Sequence, residues 1–136
     1  MPTQAVYYRD HCGHEPVNQY IMGRRIDHQL SIDAQATLLN GLDPHDPPLV
    51  FLHSSQVSGQ LRELRCHHGR TLYRILYRRS GNLFILPHII NKRDKDIPQE
   101  DIAIAEARWQ DFEERMDVYP RKPPRAAGHD APPDKR

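Results

Sequence analysis

The sequence predicts an α+β domain with an N-terminal strand, two helices, an antiparallel sheet of about three to four further strands, and a C-terminal helix. Four runs of strand-forming residues lie between positions 50 and 90, and short links containing glycine or asparagine separate them. Such links are typical of hairpins between antiparallel neighbours. Apolar residues recur at helical spacing before and after these runs. The length of 136 residues fits one domain.

The first three elements follow from the N-terminal third of the chain. Residues 5–9, AVYYR, predict a strand, and the turn after it leads into a short helix with Pro16 near its first position. A second helix is expected from Asp27 as N-cap to the stop signal Asn40-Gly41. Its apolar stripe would consist of residues four apart: Leu30, Ala34, Leu38 and Leu42.

The sheet and the last helix follow a proline-rich loop at residues 41–48. The expected strands are VFLHSS (50–55), QLRELRCH (60–67), TLYRILYRR (71–79) and NLFILPHII (82–90). Pro98 suits the first turn of the final helix. The core stripe of that helix is Ile102, Ala105, Trp109, Phe112 and Met116. We therefore assign residues 1–118 to the domain and residues 119–136, rich in proline, to a flexible basic tail.

Composition excludes several classes of protein. No apolar run approaches the roughly 18 to 20 residues of a membrane span. The N-terminal residues carry charge where a signal peptide needs an apolar segment, so we expect a cytoplasmic protein. The two cysteines, Cys12 and Cys66, are too few for a disulfide scaffold, and we expect free thiols.

The formal net charge of +1 conceals a strong separation of charge. Residues 60–95 carry nine Lys and Arg residues against Glu63 and Asp94, whereas residues 96–117 are mainly acidic. Clustered basic side chains attract nucleic acid through its phosphates. A solvated sheet face explains the same pattern, so charge alone leaves both interpretations open.

A group of basic residues on the predicted strands suggests a phosphate clamp. Alternation places Arg74 in mid-strand between Leu72 and Leu76, where an arginine is costly unless it has an ionic partner or a ligand. Arg65 is expected across from it on the preceding strand. Lys92 and Arg93 follow the last strand, and His88 near its end is a candidate general acid or base.

No metal or cofactor is expected. The groups His11, Cys12, His14 and Cys66, His67, His68 lack the paired spacing of a structural zinc site. The basic strands contain a single carboxylate, Glu63, which gives little support for a magnesium site.

Three segments resemble sequence blocks of the RelE/HigB toxin superfamily, in particular its phage-derived HigB-like branch. They are VYYRDHCGHEPV at 6–17, LRELRCHHGRTLYRILY at 61–77 and ILPHIINKRDKDIPQEDIAIAEAR at 85–108. The chain departs from the family pattern at Arg62 (Trp in the family), Ile89-Ile90 (Gly-Phe), Asp96 (Lys) and Ile97 (Thr). Loss of the Phe of the family's Gly-Phe pair would remove a surface for base stacking.

The resemblance implies the toxin of a type II toxin-antitoxin system, a ribosome-dependent mRNA endonuclease that inhibits translation without a metal. In such enzymes the RNA 2′-hydroxyl is the nucleophile, and basic side chains stabilise the added negative charge. The implied catalytic residues are Arg65, Arg74, His88, Lys92 and Arg93. The expected RNA contacts are Arg62, Arg70, Tyr73, Tyr77, Arg78 and Lys95.

The implied partners are the ribosome, its mRNA and a cognate antitoxin encoded nearby, of helix-turn-helix type. Two other functions are compatible with the same sequence. One is a ParE-like inhibitor of DNA gyrase. The other is a non-catalytic phage or prophage accessory protein that binds RNA or protein through its basic surface.

Overall fold

The chain forms a mixed five-stranded sheet with helices on both faces. A computed structural model describes residues 3–43, 54–92, 96–118 and 125–128, with the backbone alone at 116–118. In chain order its elements are β1 (Gln4–Tyr7), α1 (Pro16–Met22), α2 (Ile26–Ala36), a 3-10 helix (Thr37–Leu39), β2 (Ser54–Ser58), β3 (Leu61–His68), β4 (Thr71–Ser80), β5 (Leu83–Ile90) and α3 (Gln99–Val118). This arrangement confirms the predicted α+β class.

The N-terminal strand belongs to the same sheet as the hairpin strands. The strand order is β1-β5-β4-β3-β2, in which β1 runs parallel to β5 and the other neighbours are antiparallel. The sheet is therefore mixed, whereas the sequence predicts antiparallel pairing among the later strands only. Local patterns do not reveal this long-range parallel pair.

The two sheet faces carry separate parts of the core. Ala5 and Tyr7 of β1 pack with the residues under α1 and α2. Val6, and Tyr8 directly after the strand, pack with Trp109 of α3. This alternation follows from the two-residue period of a strand. Helices α1 and α2 therefore cover one face of the sheet, and α3 covers the other.

The hairpin strands lie close to their predicted positions, with one exception. The β3–β4 turn contains Gly69 at φ +59°, a conformation that glycine adopts without steric cost. β2, Ser54–Ser58, overlaps the first predicted strand, 50–55, at residues 54–55 and continues three residues beyond it. Residues 50–53, and 44–48 of the predicted loop, lie outside the described residues.

The apolar stripe predicted for α2 is wrong. Ile32 and Ala36 are the buried residues of the helix, whereas Leu30 is 54% exposed. Leu30 and Ala34 each lie two residues, or about 200° around the helix, from Ile32 and Ala36, so the predicted stripe faces away from the core. The N-cap is Arg25, and Asp27 lies in the first turn.

The predicted face of α3 is confirmed where its side chains are described. Ala105, Trp109 and Phe112 are buried, and Ile102 is half-buried. The Met116 side chain lies outside the described residues. Pro98 precedes the helix, and its carbonyl accepts hydrogen bonds from the backbone N–H groups of Asp101 and Ile102.

Residues 125–128 lie along the free edge of β1. The Tyr7 N–H donates to the Arg125 carbonyl at 2.8 Å, and the Ala127 N–H donates to the Ala5 carbonyl at 2.9 Å. Ala127 is buried, and the Arg125 side chain pairs with Glu15 at 2.9 Å. These four residues are held against the domain, in contrast to the flexibility expected of the tail. The rest of 119–136 lies outside the described residues, and the domain boundary at 118 stays a prediction.

Two further expectations concern the chain as a whole. Within the described ranges, no helix is both long and apolar enough to cross a membrane. Cys12 is exposed and Cys66 is buried, and both are free thiols, as expected.

Candidate functional site

The sheet face beneath α3 brings together three of the predicted catalytic residues. In the strand register, Arg65 of β3 lies opposite Arg74 of β4, and Leu76 of β4 lies opposite His88 of β5. Leu76 packs against α3, so strand alternation turns Arg74 toward the same side. His88 lies diagonally from Arg74, a separation of about 7 to 8 Å in antiparallel sheets.

Glu63 joins the two arginines. Its Oε1 lies 2.7 Å from Arg65 Nη2, and its Oε2 lies 3.6 Å from Arg74 Nε. Ser55 of β2 completes the cluster, since its hydroxyl accepts a hydrogen bond from Arg65 at 2.9 Å and donates one to Glu63 at 3.1 Å. We call these four residues the arginine cluster; it contains two positive charges and one negative charge.

Arg74 is the least satisfied member of the arginine cluster. Its side chain is 6% exposed, and Nε and Nη1 are buried with no hydrogen-bond partner among the described residues. A buried donor without an acceptor costs about 1 to 3 kcal/mol, and more when it is charged. The position therefore favours an additional acceptor, such as the oxygens of a phosphate group.

A second group of charged residues joins β5 to the start of α3. Asp101 accepts hydrogen bonds from His88 Nε2 at 2.8 Å and from Lys92 Nζ at 3.0 Å. Arg108, two turns further along α3, donates to the Pro87 carbonyl at 2.9 Å and contacts His88 Nδ1 at 3.3 Å. We call His88, Lys92, Asp101 and Arg108 the histidine cluster.

The contacts of His88 define its tautomer. A guanidinium only donates hydrogen bonds, so Nδ1 must accept from Arg108, and the proton lies on Nε2, which donates to Asp101. Both ring nitrogens are thus occupied. Before His88 can exchange a proton with a substrate, one of these two contacts must open.

The carboxyl group of Asp101 is stabilised in its ionised form. Burial raises the pKa of Asp101, but the hydrogen bonds from His88 and Lys92 and the positive charge of Lys92 outweigh burial and hold the pKa below its ordinary value. Asp101 is therefore a fixed negative charge that orients the histidine ring and the lysine.

Three of the predicted RNA contacts lie on the opposite face of the sheet. Tyr73 and Tyr77 are buried under α1 and α2, and Arg62 donates to the hydroxyl oxygens of Ser54 and Tyr77 at 3.3 Å. A nucleotide stacked on either tyrosine would have to enter the core. The structure therefore places these three side chains apart from the arginine cluster, because alternate strand residues face opposite sides.

The remaining predicted contacts differ in accessibility. Arg78 lies over the Trp109 ring at 4.4 Å and pairs with Glu106, so it attaches β4 to α3. Arg70 is exposed in the β3–β4 turn, and Lys92 is 40% exposed. Arg93 and Lys95 lie outside the described residues.

The sequence patterns predict no role for Glu63, Asp101 or Arg108. Asp101 and Arg108 are seven residues apart, which places them on one face of a helix, and this spacing is a usable signal. No local pattern shows that Glu63 contacts Arg74, because that contact depends on the register of β3 and β4.

Two groups of described residues could hold a metal ion, and neither belongs to the clusters beneath α3. They are Asp10, Cys12 and His14 in the turn before α1, and Asp27, His28 and His68 on the other side of the sheet. The chemistry beneath α3 is that of fixed positive charges, a carboxylate and an imidazole, which suits electrostatic stabilisation of an anion.

Together these features define a small α+β protein with a cluster of arginines between its sheet and C-terminal helix. A family model described as phage derived protein Gp49-like (DUF891) matches residues 28–110, more than half of the chain. The chain belongs to this Gp49-like family, which lies within the RelE/HigB-type toxin superfamily. The match includes every residue of both clusters and two of the three resembling segments. No curated protein matches the chain significantly, and no solved structure does so either.

Proposed function

We propose that this protein is the toxin of a type II toxin-antitoxin system and cleaves mRNA on the ribosome without a metal. The observation that carries the proposal is the buried Arg74, which has two unsatisfied nitrogens beside Arg65. Membership of the Gp49-like family is compatible with a toxin of this kind.

In the proposed reaction, the 2′-oxygen of a ribose attacks the adjacent phosphorus and the 5′-oxygen leaves. The products are a 2′,3′-cyclic phosphate and a free 5′-hydroxyl. The phosphate gains negative charge in the transition state, and fixed guanidinium groups stabilise that charge without reorganisation. Arg65 and Lys92 are more exposed than Arg74, so they would meet the phosphate first.

Proton transfer is assigned to His88. Its ring lies on the same sheet face as Arg74, and Asp101 holds the proton on Nε2. Release of the Arg108 contact would free Nδ1 to accept the 2′-hydroxyl proton, and water would supply the proton that the 5′-oxygen takes up as it leaves. Much of the rate in such a site comes from alignment and charge, so a weak base still permits cleavage.

The proposal includes three partners. The ribosome presents the mRNA, and a cognate antitoxin of helix-turn-helix type, encoded beside the gene, holds the toxin inactive. All three would meet the protein in the cytoplasm.

The test is transcript 5′-end mapping in bacteria after brief induction without antitoxin. We would compare the wild type with Arg65→Ala and Arg74→Met, and use Arg79→Ala as the matched control. Arg79 is an exposed arginine on the same strand that donates to the Gly81 carbonyl. New in-frame ends are expected with the wild type and Arg79→Ala, and not with the other two variants.

Other results would identify a different function. Growth arrest with intact transcripts and damaged DNA would replace the proposal with a ParE-like gyrase inhibitor. No arrest and no new ends would favour the non-catalytic accessory protein. Cleavage by Arg74→Met at the wild-type rate would remove the proposed mechanism.

A further inference from the structure

Two histidines and an aspartate meet on the sheet face that lies under α2. Asp27 and His28 lie in the first turn of α2, and His68 is the last residue of β3. The His68 Nε2 lies 3.3 Å from Asp27 Oδ2, and the two imidazole rings are 4.1 Å apart between centroids. One ligand atom from each residue lies within 4.8 Å of the other two.

A hydroxyl group orients each imidazole through its Nδ1. His28 Nδ1 is 2.8 Å from the Tyr73 hydroxyl, and His68 Nδ1 is 2.7 Å from the Ser31 hydroxyl. If Nδ1 carries the proton in both rings, both Nε2 atoms present lone pairs. Histidines that ligate metals are commonly held in this way by a hydrogen bond at the second nitrogen.

We propose that Asp27, His28 and His68 bind a divalent transition-metal ion of the Zn²⁺ class, through one carboxylate oxygen and the two Nε2 atoms. Two ligands of a tetrahedral zinc ion with bonds of about 2.1 Å lie about 3.4 Å apart. The observed 3.3 Å between His68 and Asp27 matches that separation. Imidazole and carboxylate are ligands that zinc accepts.

The position of the site indicates what the ion would do. Asp27 and His68 are 43% and 30% exposed, so the fourth coordination position faces solvent and can hold water. The ion would join the start of α2 to the β3–β4 hairpin. This site shares no residue with the arginine or histidine clusters, so it is independent of the proposed nuclease mechanism.

The sequence did not reveal this site because its residues are far apart along the chain. Of the group Cys66, His67 and His68, only the last takes part. Cys66 is buried in the core under α2, and His67 is exposed and turned to the opposite side of the strand from its neighbours.

The test is a Zn²⁺ titration of the metal-free full chain by calorimetry. One equivalent is expected to bind at micromolar Zn²⁺. Asp27→Asn and His68→Gln should each abolish that binding, and Asp27→Asn changes a partly exposed helix residue, so the variant will fold. The control variant, His67→Gln, removes a neighbouring exposed histidine and should bind as the wild type does.

Variants of the orienting hydroxyls provide a second readout. Ser31→Ala and Tyr73→Phe should weaken Zn²⁺ binding by about 10- to 100-fold, the usual effect of losing such a hydrogen bond. Substitution by Co²⁺ should give a spectrum without thiolate charge transfer. A thiolate band would assign the ion to the Cys12 turn and overturn the proposal. It would also be overturned by no binding at micromolar Zn²⁺, or by unchanged binding in Asp27→Asn.

Discussion

Arg65 and Arg74 occupy directly opposed positions on β3 and β4, so two positive side chains face each other on one side of the sheet. Like charges at such a pair repel. The Glu63 carboxylate compensates by contacting Arg65 at 2.7 Å and Arg74 at 3.6 Å. Arg74 itself lies in a nearly dry environment with two nitrogens unsatisfied, where an anion would be strongly attracted.

Replacement of Arg74 by methionine should separate stability from activity. Arg74→Met removes a buried charge with two unsatisfied nitrogens and leaves Glu63 paired with Arg65. Since hydrophobic replacement of buried ionic groups is often neutral or stabilising, the free energy of unfolding should not fall. Cleavage of mRNA should fall by about 100-fold or more. Urea unfolding and 5′-end mapping measure the two effects, and a large loss of stability would contradict this account of Arg74.

Removal of Glu63 should have the opposite effect on stability. Glu63→Ala leaves Arg65 and Arg74 without their shared carboxylate. Breaking a buried pair in this way costs about 3 to 5 kcal/mol, because an uncompensated charge remains. The free energy of unfolding measured in urea should be well below that of Arg74→Met for Glu63→Ala. Equal stability of the two variants would mean that the carboxylate does not compensate the arginines.

The Asp101 carboxylate should make stability depend on acid pH. Its pKa is lowered in the folded state, from an ordinary value of 3.8, so its contribution is complete above that value and is lost as pH falls through the lowered pKa. Asp101→Asn should therefore be less stable than the wild type at pH 7, and the difference should shrink at about pH 2. Urea unfolding at both pH values measures the effect.

The control for that measurement is Glu114→Gln, at an exposed acidic residue of the same helix. It should leave the pH dependence of unfolding close to that of the wild type. A difference between the wild type and Asp101→Asn that stays constant with pH would show that the aspartate acts through packing instead of charge.

Truncation of Ile32 and truncation of Leu30, both in α2, should have different effects on the free energy of unfolding. Ile32 is fully buried, and Ile32→Ala should cost about 2 to 5 kcal/mol. Leu30 is more than half exposed, and Leu30→Ala should change the free energy of unfolding by less than about 0.5 kcal/mol. Thermal or urea unfolding distinguishes the two, and the reverse order would restore the stripe predicted from the sequence.

Most of the fold could be predicted because its elements are encoded locally. Residues 71–79 predict β4 almost to its observed limits, and Trp109 and Phe112 identify the buried face of α3. The parallel pairing of β1 with β5 joins residues about eighty positions apart and has no local signal. The error in α2 arose because two stripes of the same four-residue spacing are offset by two residues, and the spacing alone does not show which of them faces the sheet.

The site could be predicted only in part. Strand alternation and the hairpin register placed Arg65 opposite Arg74, as the sequence indicates. Tyr73 and Tyr77 are expected to contact RNA, yet the same alternation turns them into the core. The contact of Asp101 with His88 requires the packing of α3 on β5, which a sequence pattern does not contain.

The pairing of β1 has a consequence for the order in which the protein can fold. Its sheet neighbour β5 and the segment 125–128 along its other edge both come later in the chain. During synthesis, β1 therefore leaves the ribosome long before either partner exists. Until then the backbone groups of β1 remain hydrogen-bonded to water. The strand can form all of its sheet hydrogen bonds only after residues 125–128 have emerged.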